Sequence, residues 1–444
     1  MRNLRAFSTL LPVLFMLSGC ERKPDAAPPE PARAAPVTPT RPPPPAAESA
    51  PVRLGVDVLA REDFAALRGR RVGLITNPTG VAGDLRSTVD ALRTAATAGT
   101  FELVALFGPE HGVRGDVPAG EKIADTRDPV SGLPRYSLYG ETRKPTADML
   151  VGIDTLVFDI QDIGSRSYTY ISTMAVAMEA AAEHGLRFIV LDRPNPLGGE
   201  RIEGRPLDLA YRSFVGWLPI PYVHGLTVGE LARMINGEGW LRDANGGPVA
   251  CELVVVPLEG WRRNMTWADT GLHWVPTSPH VPRADTAAHY AATGIMGELR
   301  VLSEGVGYPL PFELAGAPGL DPDALAAELN RRGLPGVFFR PAYWQPYYGP
   351  FAKQTCAGVH VVFTDLARAE LTPVQFHVLD AVRKLDPQRE LFGQQRDNMF
   401  DKVCGTDRIR QLLSAGHPVE EVLALWRAGV DEFRVRRAKY LRYD

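Results

Sequence analysis

The chain has 444 residues, 45% of them hydrophobic and 23% charged, with a formal net charge of −3. That length exceeds what a single hydrophobic core normally serves, so two domains are expected. The near-neutral balance and scattered basic residues argue against nucleic acid as a partner.

Residues 1–20 have the pattern of an export signal: Arg2 and Arg5 form the positive flank, and Ala6–Leu17 the apolar stretch. Leu17-Ser18-Gly19-Cys20 resembles a bacterial lipobox, which would make Cys20 the lipidated first residue of the mature chain. An ordinary signal peptide with an incidental cysteine is the alternative. Glu21, rather than an Asp, follows the cysteine, which points to the outer membrane. The expected address is therefore the periplasmic side of a bacterial membrane, held by lipid alone, because no other stretch approaches the ~20 apolar residues of a span. Glu21 to Pro51 holds 11 prolines and no apolar periodicity. Such a segment cannot bury a core and is expected to be a disordered, extended tether of ~3.1 Å per residue.

From Val72 onward, four apolar runs each empty into a polar loop. Val72–Thr76 leads into Asn77-Pro78-Thr79-Gly80, and Leu103–Phe107 into Gly108-Pro109-Glu110-His111-Gly112. Thr155–Ile160 leads into a loop from Gln161 to Tyr170, and Phe188–Leu191 into Asp192-Arg193-Pro194-Asn195-Pro196. Unalternating Val/Ile/Leu/Phe runs are the signature of parallel strands covered on both faces. Helical spacing appears at Arg86–Ala96 and Ile171–Glu183, the second stopped by His184-Gly185. Thr227-Val228-Gly229-Glu230 is a capping box, so Glu230 is structural. A shorter strand, Leu253–Pro257, extends the sheet. The fold class is α/β: a Rossmann-like, doubly wound, mostly parallel sheet over residues 52–274. Beyond Trp274 the rhythm changes, and a second, smaller α+β C-terminal domain is expected over 275–444. It would hold strands at Gly336–Arg340 and Gly358–Phe363 and helices at Asp407–Ala415 and Val419–Ala428. Cys251, Cys356 and Cys404 show no metal spacing. A Cys356–Cys404 disulfide and three separate buried thiols both remain open.

In an open α/β sheet, ligands bind outside the carboxyl ends of the strands, so the four loops should share one rim. Glu110 sits in a glycine-flanked loop where a carboxyl can be desolvated and its pKa raised, as a general acid requires. The competing role is a loop carboxylate accepting backbone N–H bonds. Glu110, Asp162 and Tyr168 are the catalytic candidates. Asn77, His111, Asp159, Gln161, Arg166, Tyr170, Asp192, Arg193, Asn195, His224 and Glu304 are the substrate-binding candidates. Tyrosine rings lie against the apolar face of a pyranose while Asp, Gln and Arg bind its hydroxyls. The bland alternative for Asp162 and Arg166 is a mutual salt bridge bracing the loop. No glycine-rich dinucleotide or Walker loop, no His-Glu-x-x-His and no Gly-x-Ser-x-Gly occurs, so neither a cofactor nor a metal nor a serine nucleophile is expected.

Together, Asn77-Pro78-Thr79-Gly80, Phe107-Gly108-Pro109-Glu110-His111-Gly112, Ser137-Leu138-Tyr139-Gly140, Asp159-Ile160-Gln161-Asp162, Arg166 with Tyr168-Thr169-Tyr170, Leu191–Pro196 and His224-Gly225-Leu226-Thr227 resemble the NamZ-type exo-β-N-acetylmuramidases. The resemblance runs from about Val52 to the C-terminus. It implies a Rossmann-like domain and a smaller C-terminal domain with the active site between them. The implied reaction is release of terminal N-acetylmuramic acid from non-reducing ends of peptidoglycan fragments, without metal or nucleotide. The family's Pro-Glu-His-Gly acid maps onto Glu110, and Arg166 or Arg193 would hold the lactyl carboxylate. Retaining, inverting and substrate-assisted routes all remain open. The C-terminal half departs from the pattern at Ser278-Pro279-His280-Val281-Pro282, Met296-Gly297-Glu298-Leu299-Arg300 and Ser303-Glu304-Gly305-Val306-Gly307-Tyr308. These changes are expected to remove polar groups from the cleft. The reading from a different class is a non-catalytic, glycan-binding wall lipoprotein; peptidoglycan-derived glycans or muropeptides are the partners in either case.

Overall fold

The structure is a computed structural model that describes residues 52–116 and 125–444. The export signal, Cys20 and the tether lie outside the described residues. The first sheet contains strands β1 (Arg71–Thr76), β2 (Glu102–Gly108), β3 (Thr126–Arg127), β4 (Pro134–Ser137), β5 (Thr155–Asp159), β6 (Arg187–Leu191) and β7 (Glu252–Val256). Their order across the sheet is β3-β4-β2-β1-β5-β6-β7, with every pairing parallel except β3 against β4. Chain order therefore runs outward from β1 in one direction through β2 and β4, then restarts on its other side at β5. That reversal is the switch point at which an open α/β sheet forms its crevice.

The uniform apolar runs are explained by the two layers that cover the sheet. Helices α1 (Gly55–Arg61) and α2 (Thr88–Ala96) lie on one face, and α3 (Tyr170–Glu183) and α4 (Val228–Gly237) on the other. Along β5, Val157 packs with Val58, Leu59 and Leu92 in one core, while Leu156 and Phe158 join Met174 and Met178 in the opposite one. Both parities must therefore be apolar. At α4, Thr227 accepts from the Glu230 N–H at 3.1 Å and Glu230 accepts from the Thr227 N–H at 3.2 Å, the reciprocal cap expected from the sequence.

The second half begins with α5 (Thr286–Gly297) and strand β8 (Leu314–Ala317), followed by α6 (Pro322–Arg331), β9 (Val337–Trp344) and β10 (Cys356–Phe363). These three strands form an antiparallel sheet ordered β8-β10-β9. Pro341, which has no N–H for a ladder, sits in β9 at the sheet's edge. Helices α7 (Pro373–Leu385), α8 (Gln394–Cys404), α9 (Arg408–Ser414) and α10 (Val419–Arg427) build the core above it. The last helix, α11 (Val430–Arg437), instead returns to the first sheet: Phe433 and Tyr440 join the α3–α4 core, and Tyr443 reaches Asp192. Residues 275–444, expected as a separate domain, thus lend their final segment to the larger one. Cys251, Cys356 and Cys404 are three buried free thiols, and no 356–404 disulfide forms. Among the described residues no helix is long and apolar enough to cross a membrane.

Arg166 ties the halves together. Its side chain is fully buried, and it donates to the carbonyls of Arg205, Ile220, Val403 and Cys404 at 2.7–3.0 Å. Burial pushes its pKa down to about 10, so it stays charged at neutral pH. Replacing it would strand four carbonyls that lost their donor together. Arg166→Met is expected to lower the unfolding free energy by about 3–5 kcal/mol in urea titrations. A loss below about 1 kcal/mol would show that the carbonyls find other donors.

Candidate active site

After β2 the chain reverses within a few residues. A β-carbon on Gly108 would lie 2.8 Å from the Val113 nitrogen, so only glycine allows the approach. The Gly112 N–H closes the turn on the Pro109 carbonyl at 2.9 Å, and His111 sits in the left-handed region at φ +71°. Glu110 is thereby held at the apex, partly buried, where it accepts from Thr169 Oγ1 at 3.3 Å. The Tyr139 phenol hydrogen-bonds the same carboxyl; burial first, and Glu110's charge second, raise the pKa of that phenol.

Glu110 opens into a cavity of about 280 Å³. Its walls come from the loops after β2, β4 and β5 on one side, and from α5, the loop before it and Phe312 on the other. Aromatic rings form one wall. Tyr168 meets Tyr170 edge-on at 5.0 Å and Tyr290 at 5.7 Å, and Tyr290 meets Phe312 at 4.8 Å. Burial raises the pKa of Tyr168, Tyr170 and Tyr290, so all three remain neutral phenols near pH 7. Their hydroxyls are engaged: Tyr168 donates to Thr277 Oγ1 at 2.7 Å, Tyr170 to the Thr277 carbonyl at 2.5 Å, and Tyr290 shares Ser167 at 3.0 Å. Tyr168, expected as catalytic, is thus a fixed wall with its proton already committed. His111 also lines the cavity.

The same cavity holds a second carboxyl that was not among the residues expected from the sequence. Glu298 ends α5 and lines the same cavity, and burial raises its pKa. The Tyr290 phenol feels both Glu298 and Glu110, which places the two acids around one ring. His280 lines the cavity as well, bonded to the Tyr348 hydroxyl at 2.6 Å; burial lowers its pKa, so it is neutral. The departures from the family pattern therefore bring an imidazole and a carboxyl to the cleft, where a loss of polar groups was expected. Among the described residues no lysine or arginine lines the cavity.

The remaining candidates form a buried polar layer outside the cavity lining. Asp159 takes both its oxygens to Arg193, at 2.6 and 2.9 Å, and accepts from Thr88 Oγ1. Arg193 spends its remaining reach on the Val81 carbonyl. Two opposite charges at adjacent strand ends, both buried, must pair or pay full desolvation. Gln161 donates to the Asp162 and Pro194 carbonyls, and Asn77 accepts from the Thr79 N–H and hydroxyl. Asp162, expected as catalytic, accepts from the Gly164 N–H at 2.7 Å and lies 3.7 Å from His224 Nε2. It makes no salt bridge to Arg166, whose fork is occupied elsewhere. His224 Nδ1 accepts from the Leu226 N–H. Asn195 bridges the Leu226 carbonyl and the Leu197 N–H while packing on Gly164, whose φ of +81° excludes a side chain there. Asp192 accepts from Thr227, Gly229 and Tyr443, and burial pushes its carboxyl up to about 6. Glu304 packs against Gly297 behind Glu298, and burial pushes it up to about 7. Sequence identifies these as polar residues at strand ends; it does not say which way they point. Among the described residues no group of three or more His, Cys, Asp or Glu is placed to hold a metal ion.

Comparison with known proteins accords with this geometry. The family model described as exo-beta-N-acetylmuramidase NamZ, N-terminal, matches residues 72–285, and its C-terminal counterpart matches 288–443. The chain is 43% identical over 392 residues to the peptidoglycan beta-N-acetylmuramidase NamZ of Bacillus subtilis (strain 168), covering 88% of this chain and 91% of that protein. A solved DUF1343 family protein of Bacteroides fragilis NCTC 9343 superposes with a TM-score of 0.83 at 48% identity, over 88% of this chain and 99% of that one. A second from the same organism gives 0.70 at 29% identity, over 89% and 99%.

The half-buried acid behind the cavity makes stability depend on pH. Glu304 holds its proton up to about pH 7 when folded, against 4.5 for an unperturbed Glu. The folded state therefore binds more protons than the unfolded one between those values, and stability falls as pH rises through that window. Glu304→Gln is expected to flatten this decline, gaining on the order of 2–3 kcal/mol at pH 8 relative to pH 4.5. Parallel urea titrations of both proteins at the two pH values check this; equal slopes would contradict it.

Proposed function

The chain belongs to the exo-β-N-acetylmuramidase NamZ family, and from that membership and the cavity's chemistry we propose that it is a glycoside hydrolase. It removes terminal β-linked N-acetylmuramic acid from the non-reducing ends of peptidoglycan fragments. The observation that carries this reading is the pair of carboxyls, Glu110 and Glu298, facing one aromatic-walled cavity. At about 280 Å³ the cavity is at the small end of ligand sites, which suits a terminal sugar better than a length of chain. The pyranose lies against Tyr168, Tyr170 and Tyr290, whose fixed hydroxyls keep the rings in place.

Cleaving a glycosidic bond takes one carboxyl to protonate the leaving oxygen and a second, ionised, to act at the anomeric centre. Burial raises the pKa of the Glu298 carboxyl, and among the described residues no lysine or arginine lines the cavity beside it. Glu110 is the acid, held at the turn apex by Thr169 and Tyr139, and Glu298 is its partner. The pH–rate profile should be bell-shaped, with apparent pKa values that belong to the pair. An export signal and a lipid on Cys20 would place this activity at the outer membrane, on the side where wall fragments are found.

Hydrolysis of a chromogenic β-N-acetylmuramide tests the assignment. Glu110→Gln is expected to lower kcat by roughly 10²–10⁴-fold while calorimetry still registers sugar binding. Undiminished turnover in that variant would remove Glu110 from the reaction. Sugar binding without turnover by the unaltered protein would identify a glycan-binding lipoprotein instead.

A further inference from the structure

N-Acetylmuramic acid differs from an uncharged N-acetylhexosamine by a lactyl ether that carries a carboxylate. A cleft that selects this sugar needs a cation within reach of the bound ring. The two arginines expected to supply it cannot: Arg166 is committed to four carbonyls, and Arg193 to Asp159 and Val81. Among the described residues the cavity lining itself carries no lysine or arginine.

Against Tyr139, a residue of the cavity wall, lies the Arg143 guanidinium. Arg143 Cζ lies 4.2 Å from the ring centre of Phe214 and 5.3 Å from that of Tyr139. The two rings are themselves 6.3 Å apart and form a platform. Tyr139 lines the cavity and hydrogen-bonds Glu110, and Val215, next to Phe214, lines it too. The Arg143 side chain is exposed, and its N–H groups find no acceptor and no carboxylate among the described residues. Stacking over aromatic faces fixes the plane of a guanidinium and leaves its N–H edges for a planar anion. A carboxylate docked there gains a bidentate, charge-assisted pair that an uncharged sugar cannot form.

We propose that Arg143, held on the Tyr139–Phe214 platform, is the carboxylate-recognising residue of the cleft and sets its preference for the lactyl-bearing sugar. The proposal rests on the glycosidase reading above. Because Glu110 and Arg143 both interact with Tyr139, a sugar anchored by its carboxylate would also be held near the acid.

The test compares Arg143→Ala and Arg143→Lys with the unaltered enzyme on two chromogenic substrates: a β-N-acetylmuramide with a free lactyl carboxylate, and the same compound as its lactyl methyl ester. For the free acid, Arg143→Ala is expected to raise KM and lower kcat/KM by 10–100-fold, with Arg143→Lys in between. For the ester, the three proteins should agree within about twofold. An equal fall on both substrates, or no fall on the free acid, would overturn the proposal. If the unaltered protein hydrolyses neither compound, the glycosidase reading fails, and calorimetry with free N-acetylmuramic acid decides the recognition claim separately. Tighter binding to the unaltered protein than to Arg143→Ala would support it, and equal binding would overturn it. Circular dichroism melting curves of each variant exclude misfolding as the cause.

Discussion

A wholly buried guanidinium has to find its partners on the protein, and Arg166 gives both terminal nitrogens to carbonyls, the farthest 238 residues away in sequence. That requirement governs the rest of the site. The loop from Ile160 to Thr169 has no regular ladder of its own, yet most of it is buried. Its conformation is set by side chains: Asp162 on Gly164, Gln161 on Pro194, and Arg166 on the other half of the molecule. Only with that loop fixed do Tyr168 and Tyr170 stand as a wall, and only against that wall does the turn bearing Glu110 face a defined space. Rigidity beneath the cavity is what allows so few groups to act within it.

The same logic separates two classes of charged residue at the sheet's rim. Asp159 and Arg193 neutralise each other under the surface, and Asp192 is absorbed by the start of α4 and the C-terminal Tyr443. They support the site without lining it. Among the described residues, Glu110 and Glu298 face the cleft and Arg143 lies beside its wall. A buried ion pair seldom adds stability over an apolar replacement, but removing one member is costly. This polar layer is therefore best understood as a positioning device.

Much of the fold was legible because β1, β2, β5 and β6 are covered on both faces, and two-sided burial writes an unbroken apolar run into the sequence. Those four expected strands lie within a residue of the ones observed, whereas the expected Gly336–Arg340 strand runs on to Trp344. The short edge pieces β3 and β4 were not visible, since Pro134-Arg135-Tyr136-Ser137 is half exposed and carries no apolar run. The return of α11 to the first sheet was equally hidden: a highly polar helix gives little sign of which core its few buried residues join. Within the site, Glu110 and the tyrosines were legible from glycine flanks and clustering at strand ends. Arg166 and Arg193 were misplaced as substrate ligands because residue type and spacing do not reveal whether a charge points inward. Glu298 and His280 were passed over because they lie where the chain departs from its family's pattern, and only the fold brings α5 against the turn after β2.

A crystal structure of Glu110→Gln soaked with a muramyl disaccharide addresses the whole arrangement at once. The glycosidic oxygen should lie within hydrogen-bond distance of residue 110, the sugar face against Tyr168 and Tyr290, and the lactyl carboxylate on Arg143. A sugar bound outside this cavity, or one whose glycosidic bond faces away from residue 110, would contradict the assignment of the site.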